Sequence, residues 1–386
     1  MDYRRIGNTG MFASVIGLGA EHLDGKPYAV VEETIHAALE HGINMMDVFM
    51  PGDEIRYNIG KALGNRRKDV IIQGHIGSVD LSQQYDVSRD LPTCKKYFEK
   101  LLSSLGTDYI DVGMLFFIDS VEELEQTYSN GIVDYALELK EKGIIRAIGT
   151  SSHNPKVAHR ILETGIVDLM MFSINPAFDM TPAESSVLNT FDDKQFAEQQ
   201  YVTIDPVRAE LYKYCEQKEI AITVMKTLGG GRLLSAEHSP FKKAMTVSQC
   251  IHYALTRPGV VSALVGYQSA KQVEEAVGYL TASDEQRDYM DIISRYKGKL
   301  SGKCVYCNHC QPCPVNIDIA IVNKYLDIAS LDTANIPPSI VQHYKSLAAN
   351  GADCIACENC EEKCPFSVPI IKNMECANKL FNMVVR

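Results

Sequence analysis

Residues 109–152, YIDVGMLFFIDSVEELEQTYSNGIVDYALELKEKGIIRAIGTSS, contain one full turn of a recurring pattern. Two apolar runs, YIDVGMLF (109–116) and IRAIGTSS (145–152), flank a helix-like stretch that Gly143 closes. The runs are apolar on consecutive residues rather than alternate ones, as strands covered on both faces must be. Strand, helix and parallel strand make a βαβ unit. The pattern extends both ways. VIGLG (15–19), NMMDVF (44–49) and VIIQGHI (70–76) precede it, and LMMFSIN (169–175), IAITVMKT (220–227) and SALVGY (262–267) follow. Helical patterns lie between, such as PYAVVEETIHAALEHG with Gly42 at its stop. Eight such units read as a TIM (β/α)8 barrel, an α/β fold of about 250 residues. An open doubly wound sheet is the alternative. It usually carries G-x-G-x-x-G after its first strand, and GLGAEHLDG (17–25) is not that motif.

The barrel leaves a tail unexplained, so the 386 residues divide into a barrel over 1–295 and a small domain over 296–386. With 46% hydrophobic residues the chain can bury a large core. Its net charge of −11 argues against nucleic-acid and anionic-membrane partners. No apolar run reaches the roughly 20 residues of a membrane span. The N-terminus, MDYRRIGNTGMFASVIGLG, does not read as a secretory signal, and the expected location is the cytoplasm.

Twelve cysteines stand out, nine of them after residue 303. In a cytosolic chain such density means metal or redox chemistry before disulfides. The first run is Cys304-x2-Cys307-x2-Cys310-x2-Cys313-Pro314, and the second is Cys354-x2-Cys357-x2-Cys360-x3-Cys364-Pro365. The second is the bacterial ferredoxin run for a [4Fe–4S] cluster, and the first is one residue short of it. Three closely spaced thiolates hold three irons, and in two-cluster ferredoxins the fourth comes from the other run. One cluster is therefore assigned to Cys304, Cys307, Cys310 and Cys364. The other is assigned to Cys354, Cys357, Cys360 and Cys313. Two four-cysteine zinc sites are the weaker alternative. The 40 intervening residues hold helix-like stretches, IAIVNKYLDIASL and SIVQHYKSLAANG, and resemble an α-helical ferredoxin module.

YRRIGNTGMFASVIGLGA, INMMDVF, RYNIGKALGNRR, LLSSLGTDYIDVGMLFFID, KGIIRAIGTSSHN, VDLMMFSIN, VMKTLGGGRL and LVGYQSAKQVEEAV together resemble the aldo-keto reductase family over residues 1–285. With its tail, the chain resembles an anaerobe-type branch of that family carrying a ferredoxin domain. The resemblance implies an Asp, Tyr, Lys, His tetrad at the ends of the early strands. Asp47 matches the Asp. The Tyr position falls in FMPGDEIRYNIGKAL, where Pro51, Gly52 and Asp53 stand and Tyr57 lies beyond. His75 takes the place of the Lys, and Phe116 that of the His. The residues matching the nicotinamide carboxamide contacts are Ser151 and Ser152. Met171 stands for the family's Gln, and Met225 for its stacking aromatic. Gly266, Ser269 and Lys271 match a phosphate site at a helix N-terminus, and Asn175 ends the sixth strand.

Polar residues at the C-terminal ends of barrel strands read as catalytic or binding. Asp47 and His75, in otherwise apolar strands, and Lys226 are assigned to catalysis. His75 is expected to hold Asp47 with one nitrogen and face the cavity with the other. Glu54 and Arg56 read as a surface pair, Tyr85 and Arg89 as a solvated loop, and His153 and Asn154 as candidates for a helix cap.

Clusters move single electrons and nicotinamide moves two, so flavin is the usual converter. The leading expectation is an oxidoreductase passing electrons between two [4Fe–4S] clusters and a small molecule at the barrel mouth. FMN is its expected organic cofactor. A ferredoxin or flavoprotein would be its electron donor. The alternatives are an NAD(P)H-dependent reductase using His75 as acid or base, and a non-catalytic electron-transfer protein.

Overall fold

The computed structural model describes residues 1–81, 85–183, 204–293 and 301–383. A short hairpin, β1 (Tyr3–Arg5) with β2 (Phe12–Ser14), precedes the barrel and covers its N-terminal end. The barrel strands are β3 (Ile16–Gly19), β4 (Met45–Val48), β5 (Ile71–Ile76), β8 (Ile110–Leu115), β9 (Ile145–Ser152), β10 (Leu169–Ser173), β11 (Ala221–Met225) and β12 (Val260–Gly266). All pair in parallel, and β12 closes on β3. Each expected strand is present within three residues at either end. A second hairpin, β6 (Ser78–Val79) with β7 (Asp86–Val87), follows β5.

Two apolar layers hold the barrel. Its lower interior is filled by Met45, Ile71, Val112, Met114, Leu169 and Leu264 among others. A larger layer lies between strands and helices, and the tail residues Val305, Ile317 and Val322 continue it. The stretch expected as one helix after β8 is two, Val121–Ser129 and Ile132–Glu141. Gly131, in the left-handed region at φ 75°, breaks it. Arg56 is not on the surface. It is fully buried and donates from Nε to the Met50 carbonyl at 2.8 Å, while Glu54 alone of the pair is exposed.

The expected boundary at 295/296 lies outside the described residues. The tail carries helices Ile319–Ala329, Pro338–Lys345 and Ile370–Met383. Helix Ile319–Ala329 packs on Ile370–Met383 and on the barrel helix Pro206–Gln217. Buried Arg257, at the end of barrel helix Val247–Thr256, donates to the Val305 carbonyl and to the Tyr289 hydroxyl, tying the first cysteine run to the barrel wall. No helix among the described residues is long and apolar enough to cross a membrane.

Candidate active site

A cavity of about 800 Å³ opens at the C-terminal ends of the barrel strands, within the size range of small-molecule and cofactor sites. Gly19, Asp47, Phe116, Ser151, Met225 and Gly266, each at or just past a strand end, share its wall. Asp47 is 3% exposed and accepts two hydrogen bonds on Oδ1. One is from Gln73 Nε2 at 3.0 Å, the other from His75 Nε2 at 2.7 Å. Gln73 in turn accepts from Thr223 Oγ1 at 2.7 Å. This polar thread crosses the barrel interior and fixes the carboxylate, which a buried charge requires.

His75 holds Asp47 as the sequence suggested, but its other nitrogen does not reach the cavity. Nδ1 is buried without a partner, and the ring lies under Phe116 and Phe49, with centroids at 5.1 and 6.1 Å. His75 therefore acts on the cavity through Asp47. Tyr85 is no solvated loop residue. It packs edge-on to Phe49 at 5.2 Å and borders the cavity. Arg89 braces the same rim by donating to the Phe117 carbonyl at 2.7 Å.

Lys226 borders the cavity, and burial lowers its ammonium pKa. Its backbone is left-handed at φ 59°, a strained state for a residue with a Cβ. Asn175 secures that turn by donating from Nδ2 to the Lys226 carbonyl at 2.9 Å. Asn175 is itself fully buried and caps helix Pro176–Asp179, so it supports the wall rather than lining it. Ser151 borders the cavity, with its hydroxyl accepting from the Phe117 N–H at 2.8 Å. Ser152 lies behind it and donates to Asp119 Oδ1 at 3.0 Å. Gly266 is on the wall, where a Cβ would strike the His22 ring at 2.2 Å. Ser269 precedes helix Ala270–Val277 without capping it through its side chain. The neighbouring Gln268 and Gln272 border the cavity, while Lys271 is exposed and off its wall.

Asn154 caps helix Pro155–Glu163 by accepting from the Lys156 and Val157 N–H groups. His153 does something else. Its Nδ1 meets Asp119 Oδ2 at 2.9 Å, and its ring borders the cavity. Asp119 was not singled out in the sequence. The signal that finds it is strand adjacency, because β8 pairs with β9 and residues just beyond both strands must meet.

The eight cysteines of the two runs surround two enclosed spaces. One is lined by Cys304, Cys307, Cys310 and Cys364, the other by Cys313, Cys354, Cys357 and Cys360. Ile319 and Ile370 line both, so the two spaces share a wall. The runs repeat one backbone path. Tyr306 and Asn308 flank Cys307 with φ of 59° and 57°, and Ala356 and Glu358 flank Cys357 with φ of 52° and 65°. Asn316 and Ser367, each three residues past a run's last cysteine, are left-handed too. Each of these residues carries a Cβ, and such strain persists only where the surroundings over-determine it. Among the described residues, no three His, Cys, Asp or Glu side chains gather as ligands of one metal ion.

The model of the Aldo/keto reductase family matches residues 15–250. The uncharacterized oxidoreductase YqkF of Bacillus subtilis is 28% identical over 294 residues, covering 72% of this chain and 90% of that protein. L-galactose dehydrogenase of Arabidopsis thaliana is 24% identical over 312 residues, covering 73% and 88%. Among solved structures, the holo form of aldo-keto reductase AKR11C1 from Bacillus halodurans superposes with a TM-score of 0.58 at 20% identity. That match covers 77% of this chain and 96% of the other.

Proposed function

The chain belongs to the aldo-keto reductase family of oxidoreductases, and we propose that it joins the family's barrel to a ferredoxin-like domain, residues 296–386, holding two [4Fe–4S] clusters. The observation that carries this is the grouping of the cysteines. Each enclosed space takes three from one run and one from the other, the grouping that the crossed ligation of two-cluster ferredoxins would require. Cys304, Cys307, Cys310 and Cys364 would hold one cluster, and Cys354, Cys357, Cys360 and Cys313 the other. The clusters would supply one-electron transfer. A ferredoxin or flavoprotein is the corresponding donor, and the cytoplasm of an anaerobe the corresponding setting.

At the barrel mouth the chain's own residues bind and orient a small molecule. Asp47, steadied by His75 and Gln73, offers a fixed carboxylate, and Lys226 offers an ammonium. Phe49, Phe116, Phe117 and Tyr85 exclude water from one side. An organic two-electron cofactor fits the cavity's size and the uncapped start of helix Ala270–Val277, which suits a phosphate. Ser151, Gly266 and Ser269 are the proposed residues around it, with Ser152 and Asn175 behind and Lys271 outside the wall on the helix start. FMN is the proposed cofactor on the electron-count argument. NAD(P)H is the second reading, favoured by family membership. The two differ in what the protein releases. Heat-denatured supernatant from anaerobically purified protein is expected to fluoresce as FMN, and NADPH to bind weakly. Tight NADPH binding with no flavin released establishes the second reading instead.

A further inference from the structure

Among the polar groups around the cavity, His153 is the one poised for proton transfer. It is 7% exposed, and its Nε2 is buried with no hydrogen-bond partner, although the ring borders the cavity. Asp119 fixes the tautomer. Its Oδ1 accepts from the His153 N–H at 2.6 Å and from Ser152 Oγ at 3.0 Å. That leaves Oδ2 for Nδ1, 2.9 Å away. A carboxylate only accepts, so Nδ1 carries the proton and Nε2 keeps a free lone pair, on a ring that borders the cavity. Phe117 packs on the ring at 5.0 Å. Lys226 lies close enough for its charge to act on the imidazole.

We propose that His153, oriented by Asp119, moves the proton to or from the hydroxyl or carbonyl oxygen of a small-molecule substrate, with the Lys226 ammonium beside that oxygen. The proposal deepens the reading of the cavity as the substrate site and is independent of the clusters. In the step, the substrate O–H bond breaks and an Nε2–H bond forms. The oxygen's negative charge stays next to Lys226, and the imidazolium is balanced by Asp119. Burial lowers the imidazole pKa, outweighing the carboxylate, so the ring is neutral and ready to accept at pH 7. Burial pushes the Asp119 pKa upward, but the hydrogen bonds it accepts from the His153 ring, the His153 N–H and Ser152 hold it below its ordinary value and keep it ionised. His75 is not placed for this work, because it is not among the residues that line the cavity, whereas His153 is.

Asp119→Asn separates orientation from simple support. The two donors on Oδ1 would keep the amide oxygen, so the NH2 group would face Nδ1. Nδ1 would then become the acceptor, and Nε2 would carry the hydrogen and be unable to accept. The probe is 4-nitrophenol, added to the full-length, anaerobically purified protein at a pH below the phenol's own pKa. The expected result is a difference spectrum showing bound phenolate for the wild type. His153→Gln and Asp119→Asn should both lose that band. Diethyl pyrocarbonate, which attacks a neutral imidazole lone pair, is expected to label His153 in the wild type by peptide mass mapping, but not in Asp119→Asn. A wild type that shows no bound phenolate, or a phenolate band unchanged in His153→Gln, overturns the proposal. So does a His153 left unlabelled while exposed His22 reacts. None of these results bears on iron content, so the cluster reading stands or falls separately.

Discussion

Cys364→Ser is expected to remove about half of the protein's iron, and the half removed is the part held by the opposite cysteine run. Cys364 belongs to the second run, but in the fold it borders the same space as Cys304, Cys307 and Cys310. A double substitution identifies the cluster lost. Cys310→Ser with Cys364→Ser should lose no more iron than either alone, because both residues serve one cluster. Cys360→Ser with Cys364→Ser should lose nearly all of it, although these two are neighbours within one run. Groups acting as a unit are non-additive and independent ones add. If the pair from one run behaves as the unit instead, the crossed ligation is wrong.

Asp179→Ala is expected to be the most destabilising substitution in the barrel outside the glycines. Asp179 is fully buried in the turn after β10. It accepts from the Tyr212 hydroxyl at 2.5 Å and the Tyr253 hydroxyl at 2.8 Å, and Arg208 Nη1 is 3.9 Å away. Tyr212 and Tyr253 sit on two different outer helices, so one carboxylate ties the strand end to both. Removing it strands two hydroxyls and a buried guanidinium, at a cost of about 3–5 kcal/mol. For a chain this size the midpoint of anaerobic thermal unfolding should fall by about 5 °C. Asp179→Asn keeps an acceptor in place, and the drop should be well under half of that. A fall of about 1 °C or less for Asp179→Ala would mean the network carries little of the stability.

The architecture was legible because a parallel barrel writes itself plainly. Strands buried on both faces must be apolar throughout, and helix stops such as Gly42 and Gly143 punctuate them. The break at Gly131 was less visible, since Ser129, Asn130 and Gly131 interrupt a hydrophobic pattern that resumes in phase. The cysteines group around two spaces, three from one run and one from the other, and that grouping is the one the run spacing suggests if the runs hold clusters. The cavity was only half legible. Asp47 and Ser151 face it by strand register, which a period of two discloses, whereas Lys226 reaches it from the left-handed turn after β11. Whether a residue lines the wall or lies behind it depends on what packs above, and the sequence does not state that. Phe116 over His75 and Phe49 beside Tyr85 settle those two positions. The His153–Asp119 pair joins two residues that are 34 apart in the chain. Only the pairing of β8 with β9 brings them together.

Iron, acid-labile sulfide and zinc measured on protein purified without oxygen test the central claim most directly. Two cubanes on eight crossed thiolates predict about eight iron and eight sulfide per chain, with zinc near zero. About two zinc per chain with little iron and no sulfide would contradict the account, and the tail would be a pair of structural zinc sites on an aldo-keto reductase barrel.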